Sequence, residues 1–162
     1  MRKRTQRNFA FIDAQNVIMS IRRQGWNMDW KKLRVYLRDK YDVDKAFVFI
    51  GFIEKNTAFY DVLRRCGYIV IFKPVITVHG EVKGNCDGDM IVYIMSRLHN
   101  YNRAVIVTND GDFYSVIRFL RHTHKLAVVL SPDRATCSKL VKKEAGFLVD
   151  YMNNLRYKLS LQ

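Results

Sequence analysis

The amino-acid sequence predicts an α/β fold with a mainly parallel central sheet of about five strands. Three observations predict it. Short, nearly all-apolar runs recur at residues 9–13, 45–52, 68–72, 104–108 and 126–130, as strands do when both faces of their sheet are covered. Amphipathic stretches separate these runs, so the chain alternates strand and helix and returns to the sheet through right-handed crossovers. Finally, Asp13 and Asp110 stand directly at or after two of the runs, where open parallel sheets carry their ligand sites.

Each element has a local cause. Residues 9–13 form the first strand. Residues 14–24 form a helix with Val17, Ile18 and Ile21 on one face, and Gly25 stops it. Asp29 caps a second helix that runs to Tyr41, with Leu33, Tyr36 and Leu37 at helical spacing. After the strand at 45–52, residues 57–66 form a helix closed by Gly67. The strand at 68–72 leads into a short hairpin over 75–82 that turns at Gly80. A helix follows over 87–99, then the strand at 104–108, a helix over 112–121 and the strand at 126–130. Helices over 137–145 and 151–157 complete the chain. No repeat, low-complexity segment or Pro/Gly/Ser-rich linker interrupts this order. Residues 9–162 therefore read as a single domain, preceded by a basic arm over 1–8 that carries Arg2, Lys3, Arg4 and Arg7.

The chain holds 28 Lys+Arg against 15 Asp+Glu, a formal charge of +13. Such an excess favours a polyanionic partner, nucleic acid above an anionic membrane, and argues against a small-substrate phosphatase, which needs no extended basic surface. Charge does not distinguish RNA from DNA. Residues 9–12 are too short for a signal-peptide core and Asp13 interrupts them. No run approaches the roughly 18 apolar residues that span a bilayer. Cys66, Cys86 and Cys137 are odd in number and widely spaced, so neither a disulfide framework nor a zinc site is indicated, and a reducing, cytoplasmic location is expected. His122 and His124 lie far in sequence from the acids. No Walker-type loop or GxGxxG is present, which excludes the usual NTPase and dinucleotide readings.

Five aspartates fall in three short motifs: Asp13, then Asp87 and Asp89, then Asp110 and Asp112. Taken singly, each fits a helix cap or a favourable first helical turn. Taken together they point to convergence. Two carboxylates about 4 Å apart repel by roughly 4 kcal/mol at an effective dielectric near 20. A cluster therefore needs a compensating cation, a shared proton or a nearby Lys/Arg, and a hard divalent ion with oxygen ligands is the common answer. Arg22 and Arg23 form one of several basic groups available for phosphate contacts. Trp26, in a loop after the first helix, is expected to be an exposed aromatic for base stacking.

Three segments carry a resemblance: Phe11-Ile12-Asp13-Ala14-Gln15-Asn16, Lys83-Gly84-Asn85-Cys86-Asp87-Gly88-Asp89, and Val105-Ile106-Val107-Thr108-Asn109-Asp110-Gly111-Asp112-Phe113. In this order they resemble the NYN domain of the LabA-like group, within the PIN-like nuclease superfamily, over almost the whole chain. The resemblance implies a three-layer α/β/α Rossmann-like sandwich and an endoribonuclease dependent on Mg²⁺ or Mn²⁺. It implies Asp13, Asp87, Asp110 and Asp112 as the acidic centre, Asn16 as an assisting residue and Asp89 as an additional metal ligand. Lys83 lies close enough in sequence to meet a substrate phosphate. Relatives in the superfamily often pair, so a homodimer is also implied.

The chain departs from the family pattern in three places. Ala14 stands where Gly is usual, and Thr108-Asn109 where Ser-Gly is usual. Tyr93 stands where many relatives carry a further Asp, with Asp89 one turn earlier on the same helix face. The alternative reading is accordingly a catalytically weak RNA-binding adaptor with a degenerate nuclease site.

Overall fold

A computed structural model of the chain describes residues 7–73, 76–83 and 87–162. Arg2, Lys3 and Arg4 of the expected arm lie outside the described residues, as do Gly84, Asn85 and Cys86. The first half comprises β1 (Asn8–Asp13), α1 (Ala14–Arg23), α2 (Trp30–Tyr41), β2 (Val43–Gly51), α3 (Thr57–Arg65) and β3 (Tyr68–Lys73). A hairpin of β4 (Ile76–Val78) and β5 (Glu81–Lys83) follows. The second half comprises α4 (Asp87–Ser96), β6 (Ala104–Val107), α5 (Tyr114–His122), β7 (Leu126–Ser131), α6 (Lys139–Ala145), β8 (Val149–Tyr151) and α7 (Arg156–Leu159).

The main sheet runs β3-β2-β1-β6-β7-β8 and every pairing in it is parallel. It has six strands where about five were expected. The extra one, β8, is three residues long and half-buried. A segment that short carries no periodicity; its pairing with β7 defines it. Two further differences are local. A 3-10 turn over Gly111–Phe113 precedes α5, which starts at Tyr114 rather than Asp112. The C-terminal helix is split into a 3-10 turn at Met152–Leu155 and the short α7.

Strand alternation divides the interior into two layers of core. Ala10, Ile12, Ala46, Val48, Val105 and Val107 face one side, where they meet Val17 and Ile21 of α1, Leu33 and Leu37 of α2, and Tyr60 and Leu63 of α3. Phe9, Phe11, Phe47, Phe49 and Ile106 face the other, where they meet Met90 and Ile94 of α4, Ile117 and Leu120 of α5, and Val141 of α6. The result is a three-layer α/β/α sandwich with one aliphatic and one strongly aromatic sheet face.

The strand order reverses between β1 and β6. From β1 the chain winds outward through β2 to β3, and from β6 it winds the other way through β7 to β8. A crevice opens at the carboxyl ends of neighbouring strands at such a reversal. Ile12 lies opposite Val107 in the β1–β6 register, so Asp13 and Thr108 emerge side by side.

Candidate metal centre

Asp13 is the last residue of β1 and is 6% exposed. It is also the N-cap of α1, accepting a long hydrogen bond of 3.5 Å from the backbone N–H of Asn16. Cap and site residue are thus one side chain: the strand delivers it to the crevice, and the helix start fixes its direction. Asp110 follows β6 and plays the same double part, accepting from the backbone N–H of Asp112 at 2.9 Å as it caps the turn over Gly111–Phe113. Asp87 opens α4 and is half-buried.

These three carboxylates come from segments far apart in sequence and meet in one place. Each offers an oxygen, and the three oxygens all lie within 4.8 Å of one another. Burial first, and neighbouring charge after it, raises the proton affinity of two of them. Burial, only partly offset by the bonds from Asn16 and Thr108, raises Asp13 from the ordinary 3.8 to about 6. Asp87 is pushed up to about 7, first by burial and then by the charges of Asp110 and Asp13. Among the described residues neither Asp13 nor Asp110 forms an ion pair with a Lys or Arg. An all-oxygen, all-carboxylate donor set this close together fits a hard divalent cation.

A neutral network braces the acids. The Thr108 hydroxyl donates to Asp13 Oδ2 at 3.2 Å and accepts from the Asp110 backbone N–H at 3.2 Å, tying two of the carboxylates together. Asn16 Nδ2 donates to Asn109 Oδ1 at 2.8 Å, and Asn16 Oδ1 accepts from the Asn109 backbone N–H at 3.0 Å. Both ends of the Asn16 amide are therefore committed to holding the segment after β6. Asn109, 6% exposed, also donates to Thr136 Oγ1 at 2.8 Å and to Ser20 Oγ at 3.4 Å. Gly111 completes the turn because a β-carbon there would come within 2.6 Å of Ser138 Oγ. The bracing roles of Thr108 and Asn109 were not legible in the sequence, although their departure from Ser-Gly marked the positions.

Other expected site residues stand elsewhere. Asp89 and Asp112 are exposed and lie outside the group of three, although the charge of Asp112 adds to the upward shift of Asp87. Arg22 and Arg23 occupy the last turn of α1, whose first turn follows Asp13; ten residues of helix put them about 15 Å along its axis. Trp26 corrects the expectation of an exposed aromatic. It is 7% exposed, packed in the aliphatic core, with its indole N–H donating to Gln24 Oε1 at 3.3 Å. Lys83 ends β5, and its side chain lies outside the described residues. Tyr93 lies on the sheet, its ring 5.1 Å from that of Phe47 and 5.4 Å from that of Phe49, under the guanidinium of Arg97. No helix among the described residues is long and apolar enough to cross a membrane.

Comparison with known proteins agrees with this architecture. The chain is 26% identical over 141 residues to the low amplitude and bright protein LabA of Synechococcus elongatus, covering 80% of this chain and 76% of that one. A crystal structure of a protein of unknown function from Vibrio parahaemolyticus superposes with a TM-score of 0.82 at 22% identity, covering 99% of this chain and all of the other, so the two share the fold. A T5 5′-exonuclease mutant aligns over 82% of this chain and 52% of its own at 13% identity and a TM-score of 0.45, a likeness too slight to bear on function. The NYN domain model matches residues 9–153, which contain all three acids and all but the first residue of the six-stranded sheet, and the chain belongs to the NYN domain family.

Proposed function

We propose that this protein is a metal-dependent endoribonuclease that hydrolyses phosphodiester bonds at the Asp13–Asp87–Asp110 centre. The observation that carries the reading is the convergence of these three carboxylates, from three separate chain segments, to oxygens within 4.8 Å of one another. Membership of the NYN family and the charge of +13 supply its context. Mg²⁺ or Mn²⁺ bound by the three acids would activate a water and stabilise the leaving oxygen. Asp13 and Asp110 must be ionised to hold such an ion, and their backbone hydrogen bonds orient them for it. Thr108, Asn16 and Asn109 act as positioning residues, keeping the ends of β1 and β6 in register. Asp112, exposed beside Asp110, adds negative charge at the rim, and Asp89 does so on the first turn of α4. The basic surface attracts the phosphate backbone and makes affinity fall with salt. Residues 9–162 act as one domain, with the basic arm as a further phosphate contact. RNA is favoured over DNA by the family resemblance.

A second reading, a catalytically weak RNA-binding adaptor, draws on Tyr93, which fills with an aromatic ring the helix position where many relatives carry another acid. The two are separated by incubating purified protein with labelled single-stranded RNA in Mn²⁺, Mg²⁺ or EDTA. The nuclease reading expects metal-dependent cleavage that disappears in Asp13→Asn and Asp110→Asn while binding survives. Salt-sensitive binding with no turnover in any metal supports the adaptor instead. Full activity in either variant removes the centre from consideration.

A further inference from the structure

The aromatic face of the sheet is not evenly covered. α4 packs against β1, while β2 and β3 beyond it keep Ile69 41% exposed. Here a groove of about 620 Å³ opens, lined by Arg7, Lys45, Arg97 and His99 around Phe47, Tyr93 and Ile69. Among the described residues Asp44 is the one acid in its lining. Arg7 meets Asp42 only at 3.9 Å, between two exposed side chains, a contact of little energy. Among the described residues Lys45 and Arg97 form no ion pair. The groove therefore holds a net positive field between low-dielectric walls, which concentrates it.

Its floor has the second property that single-stranded nucleic acid requires. The Arg97 guanidinium carbon lies 3.3 Å from the centre of the Tyr93 ring, so the ring backs a planar cation that itself lines the groove. Planar guanidinium groups and aromatic rings are the platforms on which unpaired bases stack. The groove also has a direction. Asp89, Tyr93 and Arg97 are spaced by four residues and share one stripe of α4 and its continuation. That helix begins at Asp87 in the acidic centre, so Arg97 lies about 15 Å along it from the acids.

We propose that this groove is a contact surface for single-stranded RNA, holding the stretch of strand that runs beside α4 while the acids hold the phosphate to be cut. The proposal rests on the ribonuclease reading for its orientation. Its substance is binding, which is tested apart from cleavage. An acidic peptide would satisfy the cations but offers no planar base to the Tyr93–Arg97 pair, so RNA is the better match.

The test is fluorescence anisotropy of a labelled single-stranded RNA in EDTA over a salt series. It compares the full chain with the triple variant Arg7→Ala/Lys45→Ala/Arg97→Ala. A control triple variant, Lys31→Ala/Lys40→Ala/Arg65→Ala, removes the same charge from exposed positions on α2 and α3, against the opposite sheet face. Arg7→Gln/Lys45→Gln spares the Tyr93–Arg97 stack should the triple variant melt early. The groove variant is expected to bind about tenfold or more weakly and to lose about 2 from the slope of log K against log salt, near 0.7 for each lost phosphate contact. The control should keep the wild-type slope. An unchanged slope in the groove variants, an equal loss in the control, or tighter binding of an acidic peptide than of RNA would overturn the proposal. Failure of the two readings is distinguishable. Groove-dependent binding without cleavage sinks the nuclease and keeps the groove, whereas metal-dependent cleavage with an unchanged slope does the reverse.

Discussion

Asn16 and Asn109 hold each other through two hydrogen bonds, side chain to side chain at 2.8 Å and backbone N–H to side-chain oxygen at 3.0 Å. This pair clamps the first turn of α1 to the segment that carries Asp110. Replacing Asn109 by Ala takes the acceptor from the half-buried Asn16 Nδ2 and a donor from Thr136 Oγ1, while Asn16 Oδ1 keeps the backbone N–H and Thr136 keeps Asp133. The expected loss is about 1–3 kcal/mol in urea unfolding, with a fall in kcat larger than any change in KM. Wild-type turnover in a destabilised Asn109→Ala protein would show that the clamp serves stability alone.

Asp13 carries a conflict between stability and function. Its carboxylate is buried and held to a raised proton affinity, so in metal-free protein at pH 7.5 its charge weakens the fold. Asp13→Asn keeps an oxygen to accept from Thr108 and removes that charge. The variant is expected to be inactive yet more stable than wild type in EDTA, by at most ~3 kcal/mol, since each pKa unit is worth about 1.4 kcal/mol. Thermal unfolding beside the cleavage assay checks both halves.

The same shifts set a pH dependence with a definite sign. Asp13 and Asp87 titrate near 6 and 7 in the folded chain and near 3.8 when unfolded. Over that window the unfolded state has already lost protons that the folded state still holds. Metal-free stability from these groups is therefore full below about pH 4 and is lost as pH rises through about 6 to 7. Divalent cation should reverse the trend, because binding displaces those protons and tightens across the same window. Denaturant melts from pH 4 to 8, with and without Mg²⁺, test this; a metal-free curve that rises with pH contradicts it.

Tyr93→Asp would restore the residue type seen in many relatives. In this chain the position faces the rings of Phe47 and Phe49, so the substitution exchanges an aromatic contact for a half-buried carboxylate against an aromatic sheet face. For a half-buried ring a loss of about 1–3 kcal/mol is expected, with no gain in metal-dependent rate. A faster enzyme would show that the side chain there reaches the acids.

Trp26→Ala separates packing from recognition. With the indole buried among Ile21, Met28 and Trp30, truncation should cost about 3–5 kcal/mol of stability. RNA affinity measured well below the melting temperature should stay within about twofold of wild type, unlike removal of a true stacking platform, worth about 1–3 kcal/mol per base.

Much of the architecture was legible in the chain because its causes are local. The apolar runs fixed β1, β2, β3, β6 and β7 to within a few residues. Asp29, with hydrogen bonds at 2.9 and 3.2 Å to the backbone of Lys31 and Lys32, caps α2 as its position foretold. β8 was not legible, because Val149-Asp150-Tyr151 becomes a strand only where β7 offers its edge. Trp26 departs from its local sequence signal for a related reason. A tryptophan after a helix-stopping glycine reads as a loop residue, yet the loop folds back onto the aliphatic core.

The sequence by itself determined that carboxylates stand at strand ends and helix starts in a strongly basic α/β protein, since period, capping and charge act over a few neighbouring residues. Only the tertiary structure decided which carboxylates meet. Asp13 and Asp110 converge because Ile12 pairs with Val107 across the point where the strand order reverses, and Asp87 joins them because α4 returns to that same crevice. Asp89 and Asp112, equally prominent in the motifs, are exposed and lie outside that group of three. Register and crossover are long-range choices of the whole packed chain, and no window of sequence contains them.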